Sequence, residues 1–233
     1  DDVSFSLKKG EILGIYGLRG AGRTELLECL FGVHKNAAGT ILVDGKKVDT
    51  TFIDKRIKRG ISLIPEDRQR EGIFQNLSIS TNMTMASLSN YTSVFQLDTK
   101  KEEECVNNQV KNLSIKVTDT NNLISSLSGG NQQKVIIGKS LLTSPKVLLM
   151  DEPTRGIDVG AKKDIFLIMN RLAAEGMGVI LVASELKEIL HISDRILVFS
   201  KGKITGEFSR GEATEEALVS ASAIGHGIIN KEA

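Results

Sequence analysis

The feature that most constrains this sequence is a glycine-rich segment at residues 17–25, which reads GLRGAGRTE. It follows an apolar run at residues 12–16 and leads into TELLECLF, a helically spaced stretch that stops at Gly32. A strand that turns through glycines directly into a helix is typical of α/β proteins. The segment is therefore predicted to lie at the carboxyl end of a buried strand.

The rest of the chain continues the alternation of strands and helices. Apolar runs and period-two alternation predict strands at residues 3–7, 61–65, 146–150, 178–183 and 195–199. Helical spacing predicts helices at residues 52–59, 161–174, 185–190 and 212–221. Turn residues predict hairpins at 40–48, around Asp44-Gly45, and at 201–208. This order predicts an α/β core with a largely parallel sheet and an antiparallel β edge.

A polar stretch at residues 78–123 interrupts that order. It is rich in Asn, Thr and Ser, and helical spacing returns only at residues 82–88 and 100–113. We interpret residues 78–145 as a mostly helical subdomain inserted in the core, so that residues 1–233 form one domain. A chain of 233 residues is long enough to bury a sizeable core. Its net charge of +1 gives no reason to expect nucleic acid as a partner.

The glycine segment has the spacing of a loop that binds phosphate. Gly17, Gly20 and Gly22 let backbone N–H groups surround an anion, and the following helix adds its positive end. Thr24 occupies the position of a magnesium-binding hydroxyl, whereas Arg23 stands where the pattern G-x-x-x-x-G-K-[ST] requires lysine. A simple tight turn is the alternative. The predicted phosphate-binding residues are Gly17, Leu18, Arg19, Gly20, Ala21, Gly22, Arg23, Thr24 and Glu25.

A second motif, VLLMDEP, occupies residues 147–153. An apolar strand that ends in a carboxylate can deliver Asp151 to a phosphate-bound magnesium ion beside the glycine loop. The adjacent Glu152 can orient or deprotonate an attacking water molecule. Taken alone, the motif is also compatible with a solvated strand end; the glycine loop favours the catalytic interpretation.

The third motif, LSGGNQQK at residues 127–134, resembles the signature of ATP-binding-cassette ATPases. Ser128 and the Gly129–Gly130 amides at a helix start form another anion-binding nest. The resemblance implies the P-loop NTPase fold of these ATPases with a RecA-like core, and ATP and Mg²⁺ as ligands. It implies a head-to-tail dimer in which Ser128, Gly129, Gly130 and Gln132 close over the partner's ATP and Asp158 faces the partner cassette.

Three stretches together are similar to the ATPases of ribose/galactose-type monosaccharide importers: the signature, DEPTRGIDVGAK from Asp151, and PEDRQREG from Pro65. Those ATPases carry two cassettes in one polypeptide, and this chain resembles the C-terminal one. The resemblance implies an N-terminal cassette and membrane sugar permeases as partners, with a sugar-binding protein acting indirectly. It implies a location at the cytoplasmic face of the membrane.

Three positions depart from a fully competent cassette. Arg23 replaces the phosphate-binding lysine, Ser184 replaces the switch histidine at the γ-phosphate, and Glu66 replaces a glutamine that touches magnesium. We therefore expect a slow or inactive site on this chain, which would supply its signature to a composite site with the other cassette. A non-hydrolytic regulatory half is one alternative, and a soluble ABC ATPase without a transport role is another.

Overall fold

The computed structural model describes residues 2–48, 52–92 and 96–225. The strands are β1 (Ile12–Gly17), β2 (Leu42–Val43), β3 (Lys46–Lys47), β4 (Ile61–Ile64), β5 (Val147–Asp151), β6 (Gly178–Val182), β7 (Arg195–Ser200) and β8 (Lys203–Ser209). The α-helices are α1 (Arg23–Phe31), α2 (Ile53–Lys58), α3 (Ile79–Thr84), α4 (Thr99–Asn112), α5 (Gly129–Leu141), α6 (Val159–Ala174), α7 (Leu186–Ile192) and α8 (Glu215–Ser222).

Six strands form one sheet in the order β4-β5-β6-β1-β7-β8. The first five are parallel, and β8 pairs antiparallel with β7 at the edge. Asp151 of β5 and Ile15 of β1 both stand opposite Val182 of β6, so the three strands end at the same level. The glycine loop, which follows β1, therefore lies at the same sheet edge as the residues that follow β5 and β6.

Alternation along the strands gives the sheet two buried faces. On one face, residues such as Ile12, Met150 and Leu181 belong to a core that includes apolar side chains of α3 to α8. On the other, Leu13, Leu149 and Ile180 belong to a second core, with Leu27 of α1. The expected α/β core, largely parallel sheet and antiparallel edge are thus confirmed.

One predicted strand needs correction, and one predicted hairpin is confirmed with a shorter ladder. Residues 3–7 join no strand ladder among the described residues, and their side chains alternate between exposed and half-buried. The predicted hairpin at 40–48 keeps its turn at Asp44 and Gly45, both with positive φ, but pairs only β2 with β3. Alternation alone therefore identified the buried side of residues 3–7 without supplying a partner strand.

The helical segment between β4 and β5 holds α3, α4 and α5, joined by short 3₁₀ turns at Met85–Asn90 and Ile124–Ser126. α3 begins three residues before the predicted helix at 82–88 because Ser78 caps it by accepting from the Thr81 amide. Conversely, α8 begins three residues later than predicted, since Thr214 is its cap. Within the described ranges, no helix combines the length and apolar character that crossing a bilayer requires.

Candidate functional site

The glycine loop makes a sharp turn from β1 into α1. A Cβ on Gly17 would lie 2.4 Å from the Phe199 carbonyl oxygen, so only glycine fits there. Gly22, the residue before α1, has φ +97°, in the region that favours glycine. Ala21 is buried and accepts a hydrogen bond from the Gly202 amide at 2.8 Å. Leu18, Arg19, Gly20 and Glu25 are exposed, which leaves the outer side of the loop open to a ligand.

Asp151 lies at the end of β5 with 2% of its surface exposed. Its Oδ1 atom is buried and has no hydrogen-bond partner among the residues that the structure describes. The pKa of Asp151 is raised to about 6, chiefly by burial, although a hydrogen bond from the Thr24 side chain lowers it. The negative charges of Glu66 and Glu152 contribute to the raised value, and the positive charge of Arg23 opposes it. A buried carboxylate oxygen without a partner, next to a hydroxyl, is chemically suited to a cation.

Glu152 is held on two sides by Ser184. Its Oε2 accepts from the Ser184 amide at 3.0 Å, and its Oε1 accepts a short hydrogen bond from the Ser184 hydroxyl. The backbone of Glu152 has φ +45°, a conformation that non-glycine residues rarely adopt. Its own N–H donates to the Val182 carbonyl at 2.9 Å, which anchors this conformation to β6.

Arg23 also reaches this carboxylate. Its Nη1 lies 3.8 Å from Glu152 Oε1 and donates to the Ala183 carbonyl at 3.3 Å. The structure therefore brings the glycine loop, Asp151, Glu152 and Ser184 together. We call residues 17–25 with these three residues the glycine-loop cluster.

The signature residues lie at the start of α5, where the backbone packs closely on the next segment. A Cβ on Gly130 would lie 2.4 Å from the Ala161 Cβ and 3.8 Å from Asp158 Oδ2. Ser128 is exposed, and its hydroxyl accepts from the Asn131 amide group at 3.0 Å. Asp158 caps α6 by accepting from the Ala161 amide at 2.9 Å.

Arg68 holds the same region from the other side. It donates to the Arg155 and Gly156 carbonyls at 2.8 and 3.0 Å, and its Nη2 would lie 2.8 Å from a Cβ on Gly129. We call residues 128–132, Arg68 and residues 155–161 the signature cluster. Arg155 of this cluster forms a short ion pair with Glu66, whose charge acts on Asp151, so the two clusters meet through Glu66.

Gln132 is hydrogen-bonded within the chain. Its side chain is 7% exposed, accepts from the Gln69 amide at 2.8 Å and donates to the Ile124 carbonyl at 3.3 Å. The first bond joins α5 to the π-helical turn at Arg68–Gly72, and the second joins it to the 3₁₀ turn at Ile124–Ser126. A nucleotide contact by Gln132 stays a prediction, and it would require this amide to exchange partners.

Sequence reasoning assigned no role to Arg68, or to a polar network behind the Asp151 segment. Thr154 donates to buried Glu188 at 2.7 Å, and Lys162 donates to Glu188 and Glu185 at 2.8 and 2.6 Å. The Glu185 and Glu188 hydrogen bonds raise the pKa of Lys162. Thr154 and Lys162 both lie in DEPTRGIDVGAK, so the sequence identifies their motif. It does not identify their partners, Glu188 on α7 and Glu185 just before it.

The described ranges contain no group of three or more His, Cys, Asp or Glu side chains arranged to hold a metal ion. Such a cage is not needed for Mg²⁺, which keeps several water ligands and binds through one or two carboxylates together with substrate phosphates. Asp151 and Thr24 are suited to be the few protein ligands of such a Mg²⁺ site.

Comparison with known proteins adds three findings. The sequence profile of the family described as ABC transporter matches residues 1–155. The chain is 46% identical over 223 residues to the xylose import ATP-binding protein XylG of Pseudomonas syringae pv. tomato, covering 95% of this chain and 42% of that protein. It is 47% identical over 218 residues to the ribose import ATP-binding protein RbsA of Clostridium perfringens, covering 93% and 44%. The chain thus spans less than half the length of these relatives.

Two solved structures are similar in fold. A nucleotide-free ATP-binding cassette from an ABC transporter superposes with a TM-score of 0.78 at 25% identity, covering 94% of this chain and 88% of that one. Another ABC transporter cassette has a TM-score of 0.80 at 23% identity, covering 95% and 91%.

Proposed function

The chain belongs to the ABC transporter family, and from this premise we propose that it is the ATP-binding, energy-coupling domain of a monosaccharide importer. Relatives named for xylose and ribose import, at 46% and 47% identity over at least 93% of the chain, support the sugar class. Because the chain spans less than half of those relatives, we propose that it is one cassette, the C-terminal one, of a two-cassette protein.

The buried Asp151 Oδ1 without a partner carries the nucleotide part of this proposal. With the Thr24 hydroxyl it fits one side of a Mg²⁺ ion, and Glu66 is a further candidate ligand. The ion would neutralise charge on the β- and γ-phosphates. The amides of residues 17–25 at the start of α1 would bind those phosphates. Glu152 would orient the attacking water.

The same cluster supports a slow site on this chain. The side chains at two of the altered positions, Arg23 and Ser184, both contact Glu152, which is the expected general base. The signature cluster, with Ser128 exposed at the start of α5, is instead open to a partner's nucleotide. In the proposed dimer, Ser128, Gly129, Gly130, Gln132 and Asp158 complete the other cassette's site.

A membrane permease is the proposed docking partner, at Glu66 and residues 72–85. Phe74, Leu77 and Met85 of that stretch are exposed, with Phe74 at 54%. Apolar side chains grouped near a charged loop are suited to contact with another protein. We therefore propose a location at the cytoplasmic face of the membrane, with the sugar-binding protein acting through the permease.

A non-hydrolytic role as a nucleotide-gated dimerisation half is the second candidate, favoured by the engagement of Glu152 with Arg23. Under this candidate, ATP bound at this chain's own glycine loop would close the dimer of cassettes but would not be hydrolysed. A soluble ABC ATPase without a transport role has less support, given the names of the relatives.

The direct test measures ATP affinity and turnover of this chain, alone and joined to an N-terminal cassette, with and without the double change Arg23→Lys and Ser184→His. We expect binding with little turnover alone and a gain on the double change. Robust turnover by the unaltered chain alone contradicts the proposal, as does a complete lack of ATP binding. Co-purification with a polytopic permease separates the transport role from the soluble one.

A further inference from the structure

We propose that Arg23 is a positioning residue for the Glu152 carboxylate, and that it contacts a nucleotide phosphate only after leaving Glu152. The part that concerns nucleotide rests on the proposed function. The Arg23–Glu152 contact itself involves only side chains of this protein.

The guanidinium is held at two points. Arg23 Nη1 lies 3.8 Å from Glu152 Oε1, and the same atom donates to the Ala183 carbonyl at 3.3 Å. The side chains of Arg23 and Glu152 are only 10% and 12% exposed, so water and salt screen their attraction less than at the surface. The cation at the start of α1 is thereby directed to the residues that follow β5 and β6.

Ser184 holds the same carboxylate from the β6 side, through its amide and its hydroxyl. Position 23 and position 184 are 161 residues apart, and each departs from the pattern of a competent cassette. Both side chains nevertheless converge on one carboxylate. Each Glu152 oxygen accepts one hydrogen bond from Ser184, so a water molecule activated by this base would have to use the remaining lone pairs of the carboxylate.

The chemistry of arginine suits this role. A guanidinium is planar, always charged and carries several N–H groups, so it can donate to the Ala183 carbonyl while its charge stays 3.8 Å from the Glu152 carboxylate. A lysine ammonium is a compact charge on a flexible stem and would be shared between them less well. Glu152 and a triphosphate therefore compete for Arg23, because each phosphate contact that Arg23 makes has to replace part of its interaction with Glu152.

The first test uses the chain without nucleotide. Thermal unfolding is measured for the unaltered chain, R23Q, E152Q and the double variant. Glutamine at 152 removes the charge and keeps one acceptor oxygen, while an NH₂ donor replaces the other oxygen. We expect R23Q to lower Tm by about 3 °C in the unaltered chain and by less than about 1 °C in the E152Q background. R23K, which keeps the charge, should lose less than R23Q. Equal losses in both backgrounds overturn the proposal.

The second test measures the Kd of a fluorescent ATP analogue for the same four proteins. If Glu152 retains Arg23, R23Q weakens binding less than about 2-fold in the unaltered chain. In the E152Q background Arg23 is released toward the phosphates, so R23Q weakens binding about 10-fold, equivalent to about 1.4 kcal/mol. The same factor in both backgrounds shows that Arg23 contacts phosphate regardless of Glu152 and contradicts the proposal.

The charge-matched control is R19Q, which removes a cation from an exposed position of the same loop. Its effect on Kd should be the same with Glu152 and with the E152Q change. If none of the proteins binds the analogue, the proposed nucleotide function fails. The unfolding comparison then decides the Arg23–Glu152 contact by itself, so the two failures are distinguishable.

Discussion

The glycine-loop cluster and the signature cluster differ in where their polar groups are directed. In the glycine-loop cluster the charged side chains face one another, with Arg23 and Ser184 on Glu152. In the signature cluster, Arg68 and Asp158 bind backbone groups behind the start of α5, and Ser128 stays exposed. In the glycine-loop cluster the side chains therefore contact one another, whereas in the signature cluster they leave Ser128 at the start of α5 exposed.

The two helix starts differ in charge as well. The first turn of α1 contains Glu25, whereas the first turn of α5 contains no acidic residue. An acidic side chain in the first turn interacts with the positive end of a helix and repels another anion there. The first turn of α5 therefore carries no side-chain charge that attracts or repels an anion, whereas in the first turn of α1 the cation of Arg23 offsets Glu25.

The largest effect we expect concerns Gly130. A Cβ there would lie 2.4 Å from Ala161 Cβ, so Gly130→Ala must displace α5 from the first turn of α6. A displacement of about 1 Å in a catalytic arrangement can reduce turnover about 100-fold. We expect a loss of that size in the two-cassette protein, measured as ATP turnover below the Tm.

Gly129→Ala is the matched control for stability. Its Cβ would meet the flexible end of Arg68, which can move aside, whereas Ala161 is fixed on a helix. Gly130→Ala should therefore lower the free energy of unfolding by about 1–3 kcal/mol more than Gly129→Ala. Equal stability of the two variants would show that the close packing of α5 does not constrain the signature cluster.

Asp151 gives the next effect, as a dependence of stability on pH without Mg²⁺ or nucleotide. Its pKa is raised by burial to about 6 from a reference of 3.8, so between these values the folded protein binds a proton that the unfolded chain has lost. Unfolding free energy attributable to this group therefore falls as pH rises from about 4 to about 6, by up to about 3 kcal/mol.

Denaturant titrations in EDTA, repeated with D151N, measure this contribution as the difference between the two pH profiles. D151N should be the more stable protein at pH 7, with the difference vanishing near pH 4. The exposed Asp54→Asn change should leave the profile unaltered. A D151N profile parallel to that of the unaltered chain would mean that Asp151 is not strained by burial, and the fit to a cation would lose its basis.

Much of this architecture follows from local patterns. The apolar runs predict β4 to β7, because strands buried on both faces are continuously apolar. The motifs predict that Asp151, Glu152 and the glycine loop share one sheet edge, since parallel strands end together. Residues 3–7 show the limit: alternation indicates a half-buried face but not a hydrogen-bond partner.

The sequence does not predict which side chains from distant parts of the chain contact one another. Arg23 could be identified as a departure from a pattern, but its contact with Glu152 depends on how α1 approaches β5 and β6. Gln132 was assigned from the motif, and its burial against Gln69 depends on the π-helical turn before α3. Such contacts join residues more than 60 positions apart, which no local periodicity encodes.

A smaller effect concerns the link between the clusters and α7. Thr154 donates to the buried Glu188 carboxylate, which also binds Lys162. Thr154→Val removes the hydroxyl and leaves one carboxylate oxygen short of a donor, at a cost of about 1–2 kcal/mol in unfolding free energy. Thr143→Val, whose hydroxyl donates to the nearby Ser140 carbonyl, should cost less. A greater loss for Thr143→Val would argue against a structural role for the Thr154–Glu188 link.

The smallest effect separates capping from function at Asp158. Asp158 and Asp98 each cap a helix by accepting from the amide three residues on, at 2.9 and 3.0 Å. Replacing either by alanine should cost about 1 kcal/mol of stability, and asparagine should restore most of it. Only Asp158→Ala should also lower turnover in the proposed two-cassette protein, because in the proposed dimer the signature cluster, and not Asp98, faces the partner. If Asp98→Ala lowered turnover equally, the loss would reflect stability alone, and the distinction between an open signature cluster and a self-engaged glycine-loop cluster would lose this support.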